Sequence, residues 1–190
     1  LSLLMDVALC SWGGLSFGGV GAQALMAQQP ELVDHVILTG TSGRMSGGML
    51  KLMRLSLALN RPLLRRLSPS ALTRIVRWQT GIPAVHSHLI QDDMQRVDPD
   101  SLTRFILATY AGIAAPAGTS SAVLVLVGEK ETLFAKRLAR RLQREIPGAR
   151  GATVRGVGHL WNLQEPDLFV QVVRRWISGQ PLPEALSPFS

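Results

Sequence analysis

The sequence predicts an α/β fold: a parallel sheet flanked by helices, with a helical cap inserted between its strands. Three observations predict it. A strand, a glycine-rich turn, a helix and a second strand occupy the chain up to Gly40, which is the order of a parallel βαβ unit. A leucine-rich stretch punctuated by prolines follows. Then Ala122–Val127 (AVLVLV) resumes the strand pattern as an unbroken apolar run, the form that a doubly covered parallel strand takes. With 190 residues, 46% hydrophobic and 17% charged, the chain can bury a core and is too apolar to be disordered.

Taken in order, Leu1–Asp6 is apolar but has neither the basic start nor the small-residue cleavage site of a secretory signal, so a cytoplasmic location is expected. Val7–Ser11 reads as a short buried strand. Gly13, Gly14, Gly18 and Gly19 mark a tight turn around Ser16. Val20–Gln29 is rich in alanine and other helix formers, and Pro30 with Glu31 ends that helix. His35–Thr39 is β-branched and apolar, a second buried strand, and Gly40–Gly48 is a loop. From Leu50 to Gly118 the apolar residues recur at helical spacing, broken by Pro62, Pro69 and Pro83, and Asp98-Pro99-Asp100 opens a further helix.

After the AVLVLV strand, Phe134–Ile146 reads as a helix closed by Pro147 and Gly148. Ala152–Val154 is a strand, Gly156-Val157-Gly158-His159 a turn, and Glu165–Ile177 an amphipathic helix. The tail Gly179–Ser190 carries three prolines and is expected to pack loosely. The expected division is a core of residues 1–48 and 119–178, a cap of residues 49–118, and a tail of residues 179–190.

Charge and cysteine content exclude several classes. Formal net charge is +7, and among twenty basic residues the lysines are Lys51, Lys130 and Lys136. Arg137, Arg140, Arg141 and Arg144 alternate with Leu138, Leu142 and Ile146, so they belong on the outer face of a helix. The arginines, including Arg54, Arg61, Arg65, Arg66, Arg74 and Arg77 of the leucine-rich stretch, are read as solvated helix surface. The competing reading is a patch for nucleic acid or a membrane surface. No nucleic-acid motif accompanies it and aromatics are sparse, so no nucleic-acid partner is expected. A lone Cys10 excludes a disulfide framework and a cysteine zinc site. No apolar run reaches the roughly 18 residues of a membrane span.

The chemistry centres on Gly14-Leu15-Ser16-Phe17-Gly18, a G-x-S-x-G pattern that follows a strand and opens a helix. Glycines permit a sharp, strained turn that lifts the serine hydroxyl above the sheet. The helix that follows aims its N-terminus at the site, and the Phe17 N–H is placed to stabilise an oxyanion. A serine hydroxyl needs a base. His35 begins a buried strand and is read as structural. His86 and His88 are read as loop residues near Asp92 and Asp93, a weak metal pattern. His159 follows a strand and a glycine turn, at the carboxyl end of the sheet where open α/β folds keep their sites.

These segments, with Pro30–Gly40 (PELVDHVILTG), Val125–Glu131 (VLVGEKE) and Gly156–Phe169 (GVGHLWNLQEPDLF), resemble the α/β-hydrolase superfamily over nearly the whole chain. The resemblance implies a Ser–acid–His triad under a helical lid, an acyl-enzyme route on an ester or related small-molecule acyl substrate, and no metal or organic cofactor. Ser16 matches the nucleophile and His159 the base. The family pattern places the acid after the strand Ala122–Val127, where Glu131 occupies the aspartate's slot and Glu129 is the alternative. Trp161 and Asn162 either wall the pocket or pack in the core. Leu50, Met53 and Leu57 either line an acyl pocket or belong to the core.

Fifteen residues precede Ser16, so the family's first strands, and the loop giving the second oxyanion N–H, have no counterpart. The chain is therefore expected to be a carboxy-terminal portion of a hydrolase; losing one such donor costs about 10²–10³ in rate in known enzymes. Its first strand would be an apolar sheet edge, and self-association through that edge is expected. A non-catalytic remnant serving as an interaction module is the competing reading.

Overall fold

The computed structural model describes residues 10–64, 66–96, 98–112, 116 and 118–189. Strand β1 (Cys10–Leu15) leads into helix α1 (Phe17–Gln28), a 3-10 turn (Pro30–Leu32) and strand β2 (Val33–Thr39). Helices α2 (Gly47–Leu64), α3 (Pro69–Thr80), α4 (Ser87–Arg96) and α5 (Pro99–Gly112) then intervene before strand β3 (Ala122–Gly128). Helix α6 (Leu133–Glu145), strand β4 (Arg150–Val154), the single turn α7 (Trp161–Gln164), helix α8 (Pro166–Ile177) and strand β5 (Leu186–Pro188) complete the order.

The sheet runs β1-β2-β3-β4-β5, with the first four strands parallel and β5 antiparallel to β4. Gly14 stands opposite Leu38, Leu38 opposite Val125, and Leu126 opposite Ala152. That register brings the carboxyl ends of the parallel strands to one rim.

Strand alternation explains the two cores. Val123, Val125 and Val127 of β3 face one way, with Val36 and Leu38 of β2, and meet Ala22 and Met26 of α1 and Ala139, Leu142 and Ile146 of the α6 region. Leu124 and Leu126 face the other way, with Ile37, and meet Trp161, Val172 and Trp176. Arg137, Arg141 and Arg144 lie on the opposite side of α6, away from the core, but Arg140, expected on that outer face, is half-buried with its guanidinium 5.7 Å from the centroid of the Phe189 ring in the tail. Side-chain caps set helix starts: Ser68 accepts from Ala71 N–H (3.3 Å), Asp98 from Ser101 N–H (2.8 Å) and Thr132 from Ala135 N–H (3.1 Å).

Several sequence expectations are corrected. The strand read as Val7–Ser11 runs over Cys10–Leu15, with residues 1–9 outside the described residues. Gly13 and Gly14, taken for turn residues, pair with Ile37 and Leu38, because a ladder needs only backbone. Cys10–Gly13 are exposed rather than buried, since β1 is the outer strand of the described sheet. Pro62 lies within α2 instead of ending it. His86 and His88 are in a 3-10 turn and in α4, not in a loop.

The tail is a further correction. It is ordered, because Leu186 is buried and the backbone bonds Arg155 N–H to Ala185 O (2.9 Å) and Phe189 N–H to Gly151 O (3.0 Å) attach it to β4. Pro188 is tolerated because this is an edge strand. Among the described residues no helix is long and apolar enough to cross a membrane.

The packed tail predicts that Leu186→Ala lowers unfolding free energy by about 2 kcal/mol. Urea denaturation read by circular dichroism measures it; an unchanged midpoint would mean that the tail contributes nothing to the core.

Candidate active site

Ser16 follows β1 directly, with φ 54° and ψ −118°, and among the described residues it is the non-glycine residue at positive φ. Such a conformation is strained for a side-chain-bearing residue and persists only where neighbours hold it. Ser16 N–H donates to Thr39 O at the end of β2 (2.9 Å), and Gly19 N–H donates to Ser16 O (3.1 Å). The chain reverses so tightly that a Cβ on Gly14 would stand 2.5 Å from the Gly18 carbonyl oxygen. Because α1 starts at Phe17, the unpaired N–H groups of its first turn and the positive end of its dipole lie at Ser16. The Phe17 ring packs on Phe105 of α5, with centroids 4.4 Å apart, which sets the inserted helices against the elbow.

Glu131 and His159 follow the ends of β3 and β4. Glu129 N–H donates to Val154 O (2.9 Å) and Lys130 N–H to Val157 O (2.8 Å), binding the turn after β3 to β4 and the turn that follows it. The Glu131 carboxylate, 6% exposed, then has both oxygens engaged. Oε1 accepts from Gly128 N–H at 3.1 Å and Oε2 meets His159 Nδ1 at 2.9 Å. A proton held at Nδ1 by this carboxylate leaves the Nε2 lone pair free. Glu129 is exposed and accepts instead from Gly156 N–H (2.7 Å), so its carboxylate fastens the backbone. The structure thus brings Glu131 and His159 together and turns Glu129 to a different partner.

Gly40 joins the two halves. Its φ is +56°, and a Cβ there would lie 2.8 Å from both Cε1 and Nδ1 of His159. The imidazole therefore rests against a bare Cα, one residue beyond the carbonyl that holds Ser16. Ser16 lines a pocket of about 100 Å³, while His159 and Glu131 line a cavity of about 710 Å³. Gly40, Thr41, Ser42 and Tyr110 belong to both walls. Among the hydrogen bonds of the described residues, none joins Ser16 Oγ to His159.

The remaining candidates separate. Trp161 is fully buried, donates from Nε1 to Thr39 Oγ1 (2.8 Å) and meets Phe169 edge-on, so of its two readings it takes the core. Asn162 is half-buried and lines neither cavity. Leu50, Met53 and Leu57 form the half-buried face of α2, and of these Met53 reaches the larger cavity. His35 lies at the other end of β2 from the rim, 2.9 Å from the Asp34 carboxylate. His88 Nδ1 is 3.0 Å from Val85 O, and among the described residues no three His, Cys, Asp or Glu side chains gather to hold a metal. The Asp93 side chain lies outside the described residues.

Two residues escaped the sequence reading. Tyr110 lines both cavities, and burial, then the nearby Glu131 charge, push its phenol above the ordinary tyrosine range. Gln164 accepts from Gly158 N–H at Oε1 (2.9 Å) and donates from Nε2 to Thr80 O (3.0 Å). Leu160 N–H also donates to Thr80 O (3.3 Å), so the end of α3 is tied to both sides of His159. Only Gln164's place in the GVGH segment could have drawn attention to it; nothing local marks Tyr110.

Comparisons with known proteins agree with this architecture. The profile described as "Alpha/beta hydrolase family" matches residues 9–172, and the chain belongs to that family. No curated protein matches the sequence. Among solved structures, MenH from S. aureus is 16% identical with a TM-score of 0.68, covering 90% of this chain and 68% of its own. The enol-lactonase from Burkholderia xenovorans LB400 is 21% identical with a TM-score of 0.65, covering 92% of this chain and 67% of its own. A thermophilic esterase from Thermogutta terrifontis is 20% identical with a TM-score of 0.65, covering 90% and 65%. This chain is thus similar in fold to each and spans about two thirds of their lengths.

Two outcomes follow from this geometry. The chain has one tyrosine, so ultraviolet titration of tyrosinate reads Tyr110 alone. Its midpoint is expected above the ordinary value, and Glu131→Gln lowers it without removing the effect of burial. Since the folded state favours the neutral phenol, this contribution to stability persists below the ordinary tyrosine value and is lost as pH rises past it. Gln164→Leu, similar in volume, removes two hydrogen bonds and is expected to cost about 2 kcal/mol in a denaturant titration.

Proposed function

We propose that the chain is a serine hydrolase acting on an ester or related acyl substrate through Ser16, His159 and Glu131. The observation that carries this reading is the 2.9 Å contact between His159 Nδ1 and Glu131 Oε2 on the same sheet rim as the strained Ser16 elbow. In the reaction, His159 Nε2 takes the Ser16 hydroxyl proton as Oγ attacks the substrate carbonyl carbon. The carbonyl oxygen becomes the oxyanion, facing the Phe17 N–H and the α1 N-terminus. The tetrahedral intermediate collapses, the proton passes from Nε2 to the leaving oxygen, and an acyl group remains on Ser16. Water then gives its proton to Nε2, attacks the acyl carbon and releases the acid, returning the proton to Oγ. Glu131 does not take a proton in this cycle; it orients and stabilises the imidazolium.

The larger cavity favours an apolar acyl group, since Met53, Trp78, Phe134 and Leu138 stand in its wall beside His159. The esterase and enol-lactonase among the similar structures support ester-type chemistry. An expected cytoplasmic site of action, without metal or organic cofactor, is part of the same proposal.

The exposure of β1, outermost in the described sheet, favours a second reading, in which this chain pairs with another chain and does not turn over substrate. Labelling with an activated fluorophosphonate and turnover of an activated aryl ester decide between them. Modification at Ser16 is expected, with Ser16→Ala lowering kcat by roughly 10⁴-fold or more. Glu131→Gln is expected to lower it by on the order of 10⁴-fold. A chain that neither labels nor turns over leaves the hydrolase reading without support.

A further inference from the structure

Helix α2 has two apolar faces. Leu50, Met53 and Leu57 form the inner, half-buried one. Met49, Leu52, Leu55, Leu59 and Leu63 form a second, with intervals of three and four residues that place them on one stripe, and they are 37–72% exposed. A helix with a single protein partner is polar on that side. On α3, Ile75 and Trp78 are exposed at the same kind of interval, Trp78 to 83%.

The charge around these faces is one-sided. Between Asp34 and Asp92 the sequence has no acidic residue and eight Lys and Arg. Arg61 is neutralised by Asp100 of α5 at 2.6 Å. Lys51, Arg54, Arg66 and Arg74 are exposed, and among the described residues none of the four is in an ion pair.

We infer that the outer faces of α2 and α3 dock on an anionic lipid surface. Leucines and a tryptophan enter the headgroup boundary, and Lys51 at the flank of the α2 stripe and Arg74 beside Trp78 on α3 meet lipid phosphates. A second copy is a poor occupant, because two-fold pairing would bring two uncompensated basic faces together. Nucleic acid would satisfy the charge but leaves the aliphatic stripe in water. Met53 and Trp78, from the same two helices, also line the cavity that holds His159. Docking therefore sets that cavity beside the lipid phase, and the substrate class becomes esters partitioned into it. This last step rests on the hydrolase reading; the docking does not.

Cosedimentation of the full chain with vesicles tests the inference. Binding is expected to mixed phosphatidylglycerol–phosphatidylcholine vesicles, at least roughly tenfold weaker to phosphatidylcholine alone, and weakened by salt. Lys51→Gln and Arg74→Gln should each lower partitioning roughly fivefold. The Leu55→Gln/Leu59→Gln double variant should lose binding with an unchanged thermal midpoint, because both side chains are exposed. Ser16→Ala should bind as the parent does, so a failed hydrolase reading and a failed docking are told apart.

Absence of vesicle binding, or binding indifferent to salt and to these residues, overturns the inference. So does a doubling of mass that the leucine variant abolishes, which assigns the face to a second copy. Oligonucleotide binding that survives loss of the leucines, without vesicle binding, overturns it as well.

Discussion

Both oxygens of the Glu131 carboxylate are engaged, and the two bonds enforce each other. One closes the turn after β3 on Gly128 N–H, and the other fixes the His159 ring. A carboxylate this well covered cannot lose a partner without a penalty of about 1–3 kcal/mol or more. The turn therefore stays closed while the imidazole stays aligned. The rest of the rim depends on that alignment. Lys130 and Glu129 link the same turn to β4 and its loop through backbone bonds, and Gly40 offers the flat surface against which the ring lies.

Legibility in the sequence followed periodicity. The alternating valines and leucines of β2 and β3 have one physical use, so those strands were readable. Ser16 and His159 were readable from glycine turns next to strands, and the structure puts both at strand ends. Glu131 and Glu129 stayed open because they share a turn, and spacing does not say which carboxylate points at a ring and which at a backbone N–H. Local composition misled in three places. Gly13 and Gly14 looked like a turn, though a backbone ladder asks for no side chain. His86 and His88 looked like loop residues because α4 is polar. The prolines after Gly179 looked like a frayed end, yet an edge strand accepts Pro188 and the core accepts Leu186.

The inserted helices are not a separate layer over the sheet. Phe105 meets Phe17 at the elbow, Tyr110 stands in both cavity walls, and the Thr80 carbonyl receives hydrogen bonds from Leu160 and Gln164, just beyond His159. These contacts reach the strand ends that carry the site. Gln164 links the end of α3 to the histidine loop, using both polar atoms of its amide.

The insertion also divides the chain. β1 and β2 are joined by one helix, and β3 and β4 by another, so each pair can form from nearby sequence. The β2–β3 ladder instead closes the long segment between Thr39 and Ala122. Loop closure grows more costly with length, by about 0.6 kcal/mol per doubling, so among the described strand pairs this one carries the largest closure cost. Ser16 sits on one side of that ladder, and Glu131 with His159 on the other. The Ser16 elbow and the Glu131–His159 pair come together only where that ladder is closed.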